Sequence, residues 1–254
     1  QIWAWHQSRV KQIRQLVDKM LVIFPFEVDF YSKEGVDVEF VGHPLLEVLE
    51  SRMNRKNFCK RYGIDERKKV LGLLPGSRRQ EIENIFPTML SAAKRIALEQ
   101  DMEIAVGVAP TFEEKYFSTL YPMDGVHLVK DATYELMDHS EFAFVTSGTA
   151  TLETACFGTP MFVVYRTSWL TYLIGRLLVR VRNIGLVNIV AGRQIVPEFI
   201  QHTLSVKNLV REAVSLLSNE EKLQNMRAEL SKVKNLLGTA GASKRVAERV
   251  LQMV

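Results

Sequence analysis

The chain has 254 residues, of which 47% are hydrophobic and 24% are charged, and its mean hydropathy is −0.02. These values exclude a long disordered polypeptide and predict a folded, soluble protein with apolar mass for one large domain or two small ones. The formal charge of +4 is too small an excess to imply nucleic-acid binding, and it suits an anionic substrate or an acidic lipid surface equally well.

The first part of the chain has a helix–strand–helix–strand pattern. Apolar residues recur at helical spacing from Val10 to Met20, and "LVIF" (21–24) then predicts a buried strand. "PFEVDFYSKEG" predicts a short helix that ends at Gly35, and "VEFVG" (38–42) predicts a second strand. The "GHP" that follows breaks the chain, so a domain boundary is predicted at residues 43–50. Because the chain opens without Met directly before a helical pattern, it is expected to begin inside a fold.

Further along the chain, short apolar runs alternate with longer amphipathic segments. The runs predict five strands, at 70–74, 103–108, 126–129, 142–145 and 160–165. The segments predict helices, notably at 80–100, 112–120, 133–139 and 149–157. Such alternation is typical of an α/β fold with a parallel, Rossmann-like sheet that is covered by helices on both faces. From Lys207 onward the pattern is helical, with a break at Gly238 and Gly241.

Cysteine and histidine usage predicts neither a disulfide framework nor a metal site. The two cysteines, Cys59 and Cys156, lie in unrelated contexts, which suits a reducing compartment. The five histidines do not have the spacing of metal ligands, so no metal is assigned. No apolar run reaches the roughly 18 residues that a transmembrane helix needs, so no segment is predicted to span a membrane.

The segment "LLPGSRRQE" (73–81) predicts an anion-binding turn directly after the first of the five strands. Pro75 and Gly76 turn the chain, and Ser77 and Gln80 have the spacing of a capping box, so a helix is predicted to begin there. The first backbone N–H groups of such a helix can bind an anion. Arg78 adds a permanent charge on a planar fork that matches phosphate oxygens.

The segment "VTSGTATLE" (145–153) predicts a second such turn after the fourth strand. Gly148 permits close approach of the backbone, Ser147 and Thr149 provide hydroxyl groups, and Ala150 leaves space, which together suit a pyrophosphate. Glu153 follows Thr149 by four residues and shares its helix face, where a carboxylate suits the two hydroxyls of a ribose. In the common doubly wound strand order, the two turns would lie on neighbouring strands where ligands bind.

Each of these features also has a purely structural explanation. Either turn alone is a common structural motif, and Glu153 alone fits a solvated helix residue, but their joint occurrence after buried strands favours a site. The stretch 166–186 combines apolar residues with arginines and fits equally a helix on an anionic membrane or a core helix with arginines at its rim. In the stretch 186–201, Asn188 and Arg193 are predicted to lie in a loop, where polar side chains more often serve binding.

Seven segments together resemble the lipid-A-disaccharide synthase family, GT-B glycosyltransferases of outer-membrane biogenesis in Gram-negative bacteria. They occur in the family's order and cover most of the chain up to about residue 201. The segments are "WAWHQSRVKQI", "FPFEVDFY", "FVGHPL", "LLPGSRRQEI", "SGTATLE", "GTPMFVVYR" and "VNIVAGRQIVPEFIQ". The resemblance implies a GT-B fold, with two Rossmann-like domains in the full family architecture.

The resemblance implies an inverting transfer of 2,3-diacylglucosamine from UDP-2,3-diacylglucosamine to 2,3-diacylglucosamine 1-phosphate, with release of UDP. It implies that neither a metal nor another cofactor takes part, so that Arg78 acts as a catalytic residue and stabilises the departing pyrophosphate together with backbone amides. Glu153 is implied to hold the ribose, and Asn188 to lie by the donor sugar or the phosphates. The whole set of implied donor-binding residues is Ser77, Arg78, Ser147, Gly148, Thr149, Ala150, Glu153, Asn188 and Arg193.

The resemblance also implies where the protein acts. Both substrates are diacylated, so we expect a cytoplasmic protein that associates peripherally with the anionic surface of the inner membrane, without a nucleic-acid partner. The oligomeric state stays open, with a homodimer as one option.

Three regions are implied by the same resemblance: the end of an N-terminal, acceptor-side domain (1–45), a UDP-sugar-binding domain (46–206) and C-terminal helices (207–254), the last crossing back to the first region. The family's "GEASGD"-like loop and the acidic residue proposed as general base have no match here, so no base or acceptor site is assigned. Alternatives are a non-catalytic UDP-binding half or scaffold, a UDP-N-acetylglucosamine 2-epimerase, and the peptidoglycan glucosaminyltransferase.

Overall fold

The computed structural model describes residues 2–5, 7–168 and 183–253. Within them the strands are β1 Met20–Val22, β2 Val38–Phe40, β3 Lys69–Leu74, β4 Met102–Val108, β5 Val126–Lys130, β6 Phe142–Thr146, β7 Met161–Tyr165 and β8 Glu198–Ile200. The helices are α1 Ile2–Trp5, α2 Val10–Leu16, α3 Pro25–Ser32, α4 Arg55–Tyr62, α5 Arg79–Gln100, α6 Glu114–Leu120, α7 Thr133–His139, α8 Ala150–Cys156, α9 Leu186–Ala191, α10 Val206–Leu217, α11 Glu220–Leu236 and α12 Ala242–Met253.

A small parallel sheet of β1 and β2 forms near the start of the chain. Met20 of β1 is in register with Val38 of β2, and α3 connects the two strands. Gly35 has φ +74°, a left-handed conformation that costs a glycine little and lets the chain turn from α3 into β2. The predicted strands and helix of this region are therefore confirmed, with a small core of Val10, Val22, Tyr31 and Val36.

The other six strands form one parallel sheet in the order β5-β4-β3-β6-β7-β8. β3 pairs with β4 on one side and with β6 on the other, so the strand order reverses between β3 and β6. This is the doubly wound order expected from the sequence, and it brings the two predicted turns side by side. The strand β8, which follows Pro197 and begins with the charged Glu198, was not predicted from the sequence.

Side chains of the central strands alternate between two buried layers. Leu71 and Leu73 of β3 pack on the side that contains α5 and α10, whereas Val70 and Leu74 pack on the opposite side with residues of α7, α8 and α11. Because the sheet is covered on both faces, its strands read as nearly continuous apolar runs. Gly72 is needed between them, since a Cβ there would lie 2.6 Å from Ser140 Oγ.

The last helix, α12, is bound to the first part of the chain. Both the amide and the hydroxyl of Ser243 donate to the Glu47 carboxylate at 2.8 Å, which places an anion at the start of the helix. Arg245 Nε donates to the Val41 carbonyl at 2.8 Å, and Arg249 Nε donates to Glu39 at 2.7 Å. These contacts join α12 to β2 and to the segment that follows it.

The stretch 166–186, for which a membrane-surface helix or a core helix was predicted, lies mostly outside the described residues. Arg166 at its start is described, and its guanidinium donates to the Asn84 carbonyl and to Thr88 Oγ1 at 3.3 Å, and to the Leu204 carbonyl. This arginine is therefore held against α5. In the ranges that the structure covers, no helix is both long enough and apolar enough to cross a membrane.

Candidate functional site

The two predicted turns face one cavity of about 570 Å³ at the carboxyl ends of β3 and β6. This is the edge of a doubly wound sheet where ligands bind, and the volume suits a ligand the size of a small molecule. The turn after β4 and the helix α7 complete the wall. The lining residues are Leu74, Gly76, Ser77, Arg78, Glu81, Gly107, Ala109, Pro110, Thr133, Tyr134, Met137, Thr146, Ser147, Gly148, Thr149, Ala150 and Glu153.

The turn after β3 presents Arg78 beside a carboxylate. Arg78 Nη1 donates to Glu81 Oε1 at 2.8 Å, and the arginine side chain is 80% exposed whereas that of Glu81 is 16% exposed. Gly76 has φ +107°, and a Cβ at this position would lie 2.5 Å from Glu81 Oε2, so only glycine lets the turn close over the carboxylate. The Arg78 guanidinium is thus paired with Glu81, and Arg78 still lines the cavity.

The predicted capping box of Ser77 and Gln80 is wrong. The N-cap of α5 is Arg78, which makes no side-chain cap, and Ser77 lies one residue before it. The Ser77 carbonyl accepts from Thr111 Oγ1 at 3.3 Å, which ties this turn to the loop after β4. The helix α5 still directs the unpaired amides of its first turn toward the end of the sheet that carries the cavity.

The turn after β6 is built from backbone contacts. The Ser147 amide donates to the Val164 carbonyl of β7 at 3.0 Å, and the Thr151 amide donates to the Gly148 carbonyl at 3.2 Å. Gly148 has φ +156° and nothing lies within 4 Å of where its Cβ would be, so the backbone is open to an approaching group. The Ser147 hydroxyl, predicted to offer a hydrogen bond to a ligand, instead donates to the Ile184 carbonyl at 2.8 Å.

Glu153 lines the cavity from the first turns of α8, as its spacing from Thr149 predicts. Its amide donates to the Thr149 carbonyl at 3.1 Å, and Tyr134 Oη donates to its Oε1 at 3.4 Å. Burial raises the pKa of the Glu153 carboxyl, and the hydrogen bond from Tyr134 opposes that rise. Burial also raises the pKa of Tyr134, with the Glu153 charge as a second cause, so the tyrosine stays a hydrogen-bond donor at neutral pH.

Thr146, the last residue of β6, has a buried hydroxyl beside the cavity. The residue is 4% exposed, and among the described residues its Oγ1 has no hydrogen-bond partner. A buried hydroxyl without a partner carries a desolvation penalty, which a ligand in the cavity would relieve. Thr146 was not predicted as a site residue, although a hydroxyl residue at the end of a buried strand, directly before the small-residue turn, was a usable signal.

Tyr134 and Glu81 were also missed by the sequence analysis. Tyr134 follows β5 by a few residues and reaches the cavity because every strand in a parallel sheet ends at the same edge. Glu81 lies three residues after Arg78, a spacing at which opposite charges on a helix meet.

The structure does not bring Asn188 or Arg193 to the cavity lining. The predicted loop around Asn188 is wrong: the residue lies in α9 and is fully buried. Its Oδ1 accepts from the Ile195 and Val196 amides and its Nδ2 donates to the Val196 carbonyl and to Glu198, so its hydrogen-bonding capacity is used within the protein. The implied contact of Asn188 with a donor sugar therefore has no support in this geometry.

Arg193 follows the left-handed Gly192 at the end of α9 and forms an ion pair with Glu229 of α11. It lines a different depression, between the segment 193–197 and α11. The implied role of Arg193 in donor binding likewise has no support in this arrangement.

In the part of the chain that the structure covers, no three His, Cys, Asp or Glu side chains cluster as metal ligands would. The two cysteines are buried, and burial raises the pKa of Cys156 to about 11, so this thiol is not an activated nucleophile. The cavity therefore offers the Arg78 guanidinium, which is paired with Glu81, and the backbone amides of the turn after β6, together with the Glu153 carboxylate and the Tyr134 phenol. Such a combination suits a ligand with both an anionic group and hydroxyl groups.

Solved structures share this fold at low sequence identity. An S. aureus MnaA–UDP co-structure matches with a TM-score of 0.64 and 17% identity over 95% of this chain and 63% of that chain. A UDP-GlcNAc 2-epimerase from Neisseria meningitidis bound to UDP-GlcNAc matches with a TM-score of 0.62 and 18% identity over 94% of this chain and 62% of that chain. The doubly wound sheet with its cavity at the switch point is thus an α/β fold of the GT-B class.

Sequence comparison narrows this class to one family. The sequence profile described as Lipid-A-disaccharide synthetase matches residues 1–253, so the chain belongs to that family, whose members are glycosyltransferases of lipid A biosynthesis. Lipid-A-disaccharide synthases of Syntrophus aciditrophicus and Geobacter sulfurreducens are 40% and 41% identical to it. Each alignment covers 100% of this chain and 67% of the relative, so the chain spans about two thirds of the length of these curated relatives.

Proposed function

We propose that the chain binds the UDP part of UDP-2,3-diacylglucosamine and serves the transfer of the 2,3-diacylglucosamine unit to 2,3-diacylglucosamine 1-phosphate, with UDP as the leaving group. The observation that carries this proposal is that Arg78, the turn after β6 and Glu153 all line a single cavity at the carboxyl ends of β3 and β6. Membership of the family supports the reaction class. The two lipid substrates are part of the proposal.

In this proposal the diphosphate lies at the two adjoining turns. Arg78 and the backbone amides at Gly148–Ala150 compensate its charge, and the hydroxyl of Thr146 gains a partner. The ribose hydroxyls donate to Glu153, which Tyr134 holds in place. Among the described residues Glu153 pairs with no cation, whereas Glu81 is paired with Arg78, so the Glu153 charge would repel a phosphate and favour the orientation that places the ribose beside it.

The transfer would break the bond between C1 of the donor sugar and the β-phosphate oxygen of UDP. A bond from the acceptor hydroxyl oxygen to C1 forms on the opposite face, the hydroxyl proton leaves to a base, and the electron pair of the broken bond stays on UDP. Negative charge therefore grows on the β-phosphate, where Arg78 and the turn amides stabilise it more in the transition state than before. The base and the acceptor site are not assigned to residues of this chain, and no metal has a part in the proposed step.

Membrane-surface association belongs to the same proposal. Acylated substrates leave the bilayer only at a cost, so a protein that uses them benefits from binding the anionic inner-membrane surface from the cytoplasmic side. The basic and apolar stretch 166–186 is the segment of the sequence that suits such binding.

Calorimetric titration of the chain with UDP, UMP and uridine tests the proposal, beside a transfer assay with both lipid substrates. We expect UDP to bind at one site more tightly than UMP, and UMP more tightly than uridine, with the same affinities in EDTA. UDP binding without transfer would support the non-catalytic donor-binding half. Absence of UDP binding by the folded chain would contradict the proposal in either form.

A further inference from the structure

The Ser147 hydroxyl links the turn after β6 to a distant part of the chain. Ser147 Oγ donates to the Ile184 carbonyl at 2.8 Å, while the Ser147 amide is fixed by Val164 of β7. The turn is thus held from two sides directly before Gly148, where the backbone opens to the cavity. The position of the Ile184 carbonyl therefore helps to determine the shape of the turn.

Glu198 of β8 fixes the backbone at Ile184. Its Oε2 accepts from the Ile184 amide at 2.9 Å, and its Oε1 accepts from the Gly185 amide at 3.0 Å. Gly185 is the N-cap of α9 and makes no side-chain cap, and the Glu198 carboxylate binds the backbone directly before this helix, where its negative charge is favourable. A Cβ at Gly185 would lie 3.0 Å from Val163 Cγ2 and 3.2 Å from Glu198 Oε1, so a larger residue would be crowded at this position.

Asn188 in turn holds Glu198. Its Nδ2 donates to Glu198 Oε1 at 2.8 Å and to the Val196 carbonyl at 2.9 Å, and its Oδ1 accepts from the amides of Ile195 and Val196. Asn188 is fully buried and its four hydrogen bonds join α9 to the strand that carries Glu198. A chain of hydrogen bonds therefore runs from a buried amide to the lining of the cavity.

We propose that Glu198, supported by Asn188, is a positioning residue: it holds the Ile184 carbonyl where it accepts the Ser147 hydroxyl, and so keeps the turn after β6 in shape for a diphosphate. The inference rests on the proposed function for the identity of the ligand. Three N–H groups converge on the two Glu198 oxygens, so a carboxylate fits this place and an amide does not. Neither Glu198 nor Asn188 lines the cavity itself.

Glu198→Gln tests this role, with Glu141→Gln as a matched control. Both are partly buried carboxylates in ion or hydrogen-bond networks, but Glu141 directly precedes β6 at the opposite end of the strand and binds Lys69 and Arg227. In Glu198→Gln, the ratio of UDP affinity to uridine affinity should fall about tenfold, because the turn after β6 is no longer held in the shape that binds the diphosphate. Amide hydrogen exchange in the peptide 145–153 should become faster. Glu141→Gln should change neither quantity.

Ser147→Ala provides a second variant if Glu198→Gln folds poorly, because it removes only the last hydrogen bond of the chain and should show the same two effects. Wild-type values of both quantities in Glu198→Gln and Ser147→Ala would overturn the inference while leaving UDP binding by the wild type, and the proposed function, intact. If the wild type did not bind UDP, the proposed function would fail, and the exchange comparison between Glu198→Gln and Glu141→Gln would still decide the inference.

Discussion

Replacement of Arg78 by alanine should weaken UDP binding with little effect on folding. The side chain is 80% exposed and forms an exposed ion pair with Glu81, and such pairs stabilise proteins by about 0–1 kcal/mol. A hydrogen bond to a charged group contributes about 1.5–3 kcal/mol. Since Arg78 must share or leave Glu81 to bind a phosphate, we expect a net loss of about 1–2 kcal/mol, or about 5- to 30-fold in Kd for UDP.

Three controls separate this contact from a general effect. Arg79→Ala removes a neighbouring arginine of similar exposure, 73%, which pairs with Glu83 and does not line the cavity, so UDP affinity should stay as in the wild type. Uridine affinity should be the same in Arg78→Ala and the wild type. Arg78→Lys should recover little, because one ammonium cannot replace a planar fork. Near-wild-type UDP binding by Arg78→Ala, or an equal loss in Arg79→Ala, would refute the assigned role.

Four further predictions concern the rest of the cavity and the membrane surface. Thr146→Val should stabilise the unliganded protein by about 1 kcal/mol in thermal unfolding while it weakens UDP binding, and a destabilised variant would mean that the hydroxyl has a partner. Burial raises the Glu153 pKa, so the native state keeps this proton to higher pH than the unfolded chain does. The free energy of unfolding of the wild type should therefore fall relative to that of Glu153→Gln as pH rises above about 4.5. Parallel stability profiles of the two proteins would contradict this. Glu153→Gln should weaken UDP binding less than Glu153→Ala, and equal affinities of the wild type for UDP and 2′,3′-dideoxy-UDP would exclude a ribose contact. The double variant Trp169→Ser, Leu170→Ser should no longer co-sediment with anionic vesicles, and its thermal midpoint should equal that of the wild type. An unfolded double variant would favour a core helix, and a stable variant that still co-sediments would place the membrane contact on another surface.

The sheet was predictable from the sequence because its strands are buried on both faces. Runs such as that of β3 are apolar throughout, and the small residues after β3 and β6 identify the ends of the strands at which a doubly wound sheet binds ligands. Even the neighbouring placement of the two turns followed from the common strand order. These features depend on local composition together with one topological rule.

Other features depend on tertiary contacts that no local pattern reveals. Asn188 looks like a loop residue in "LVNIVAGR", yet it lies in α9, where its buried amide binds the Val196 carbonyl and the Glu198 carboxylate. Ser77 has the spacing of a cap, but the N-cap of α5 is Arg78, and the turn before it closes over Glu81 at Gly76. The sequence predicts a Ser147 hydroxyl that is free to bind a ligand, but this hydroxyl donates to the carbonyl of Ile184, a residue 37 positions further along the chain.

The most direct test of the donor-binding claim is amide NMR of the isotopically labelled chain during titration with UDP. We expect saturable shifts at one site, largest for the amides of the turns 76–79 and 147–150, with smaller shifts for the same turns when uridine replaces UDP. Shifts centred on Asn188 and Arg193, or on any surface away from the cavity at the ends of β3 and β6, would contradict it, and so would a folded chain whose spectrum does not respond to UDP.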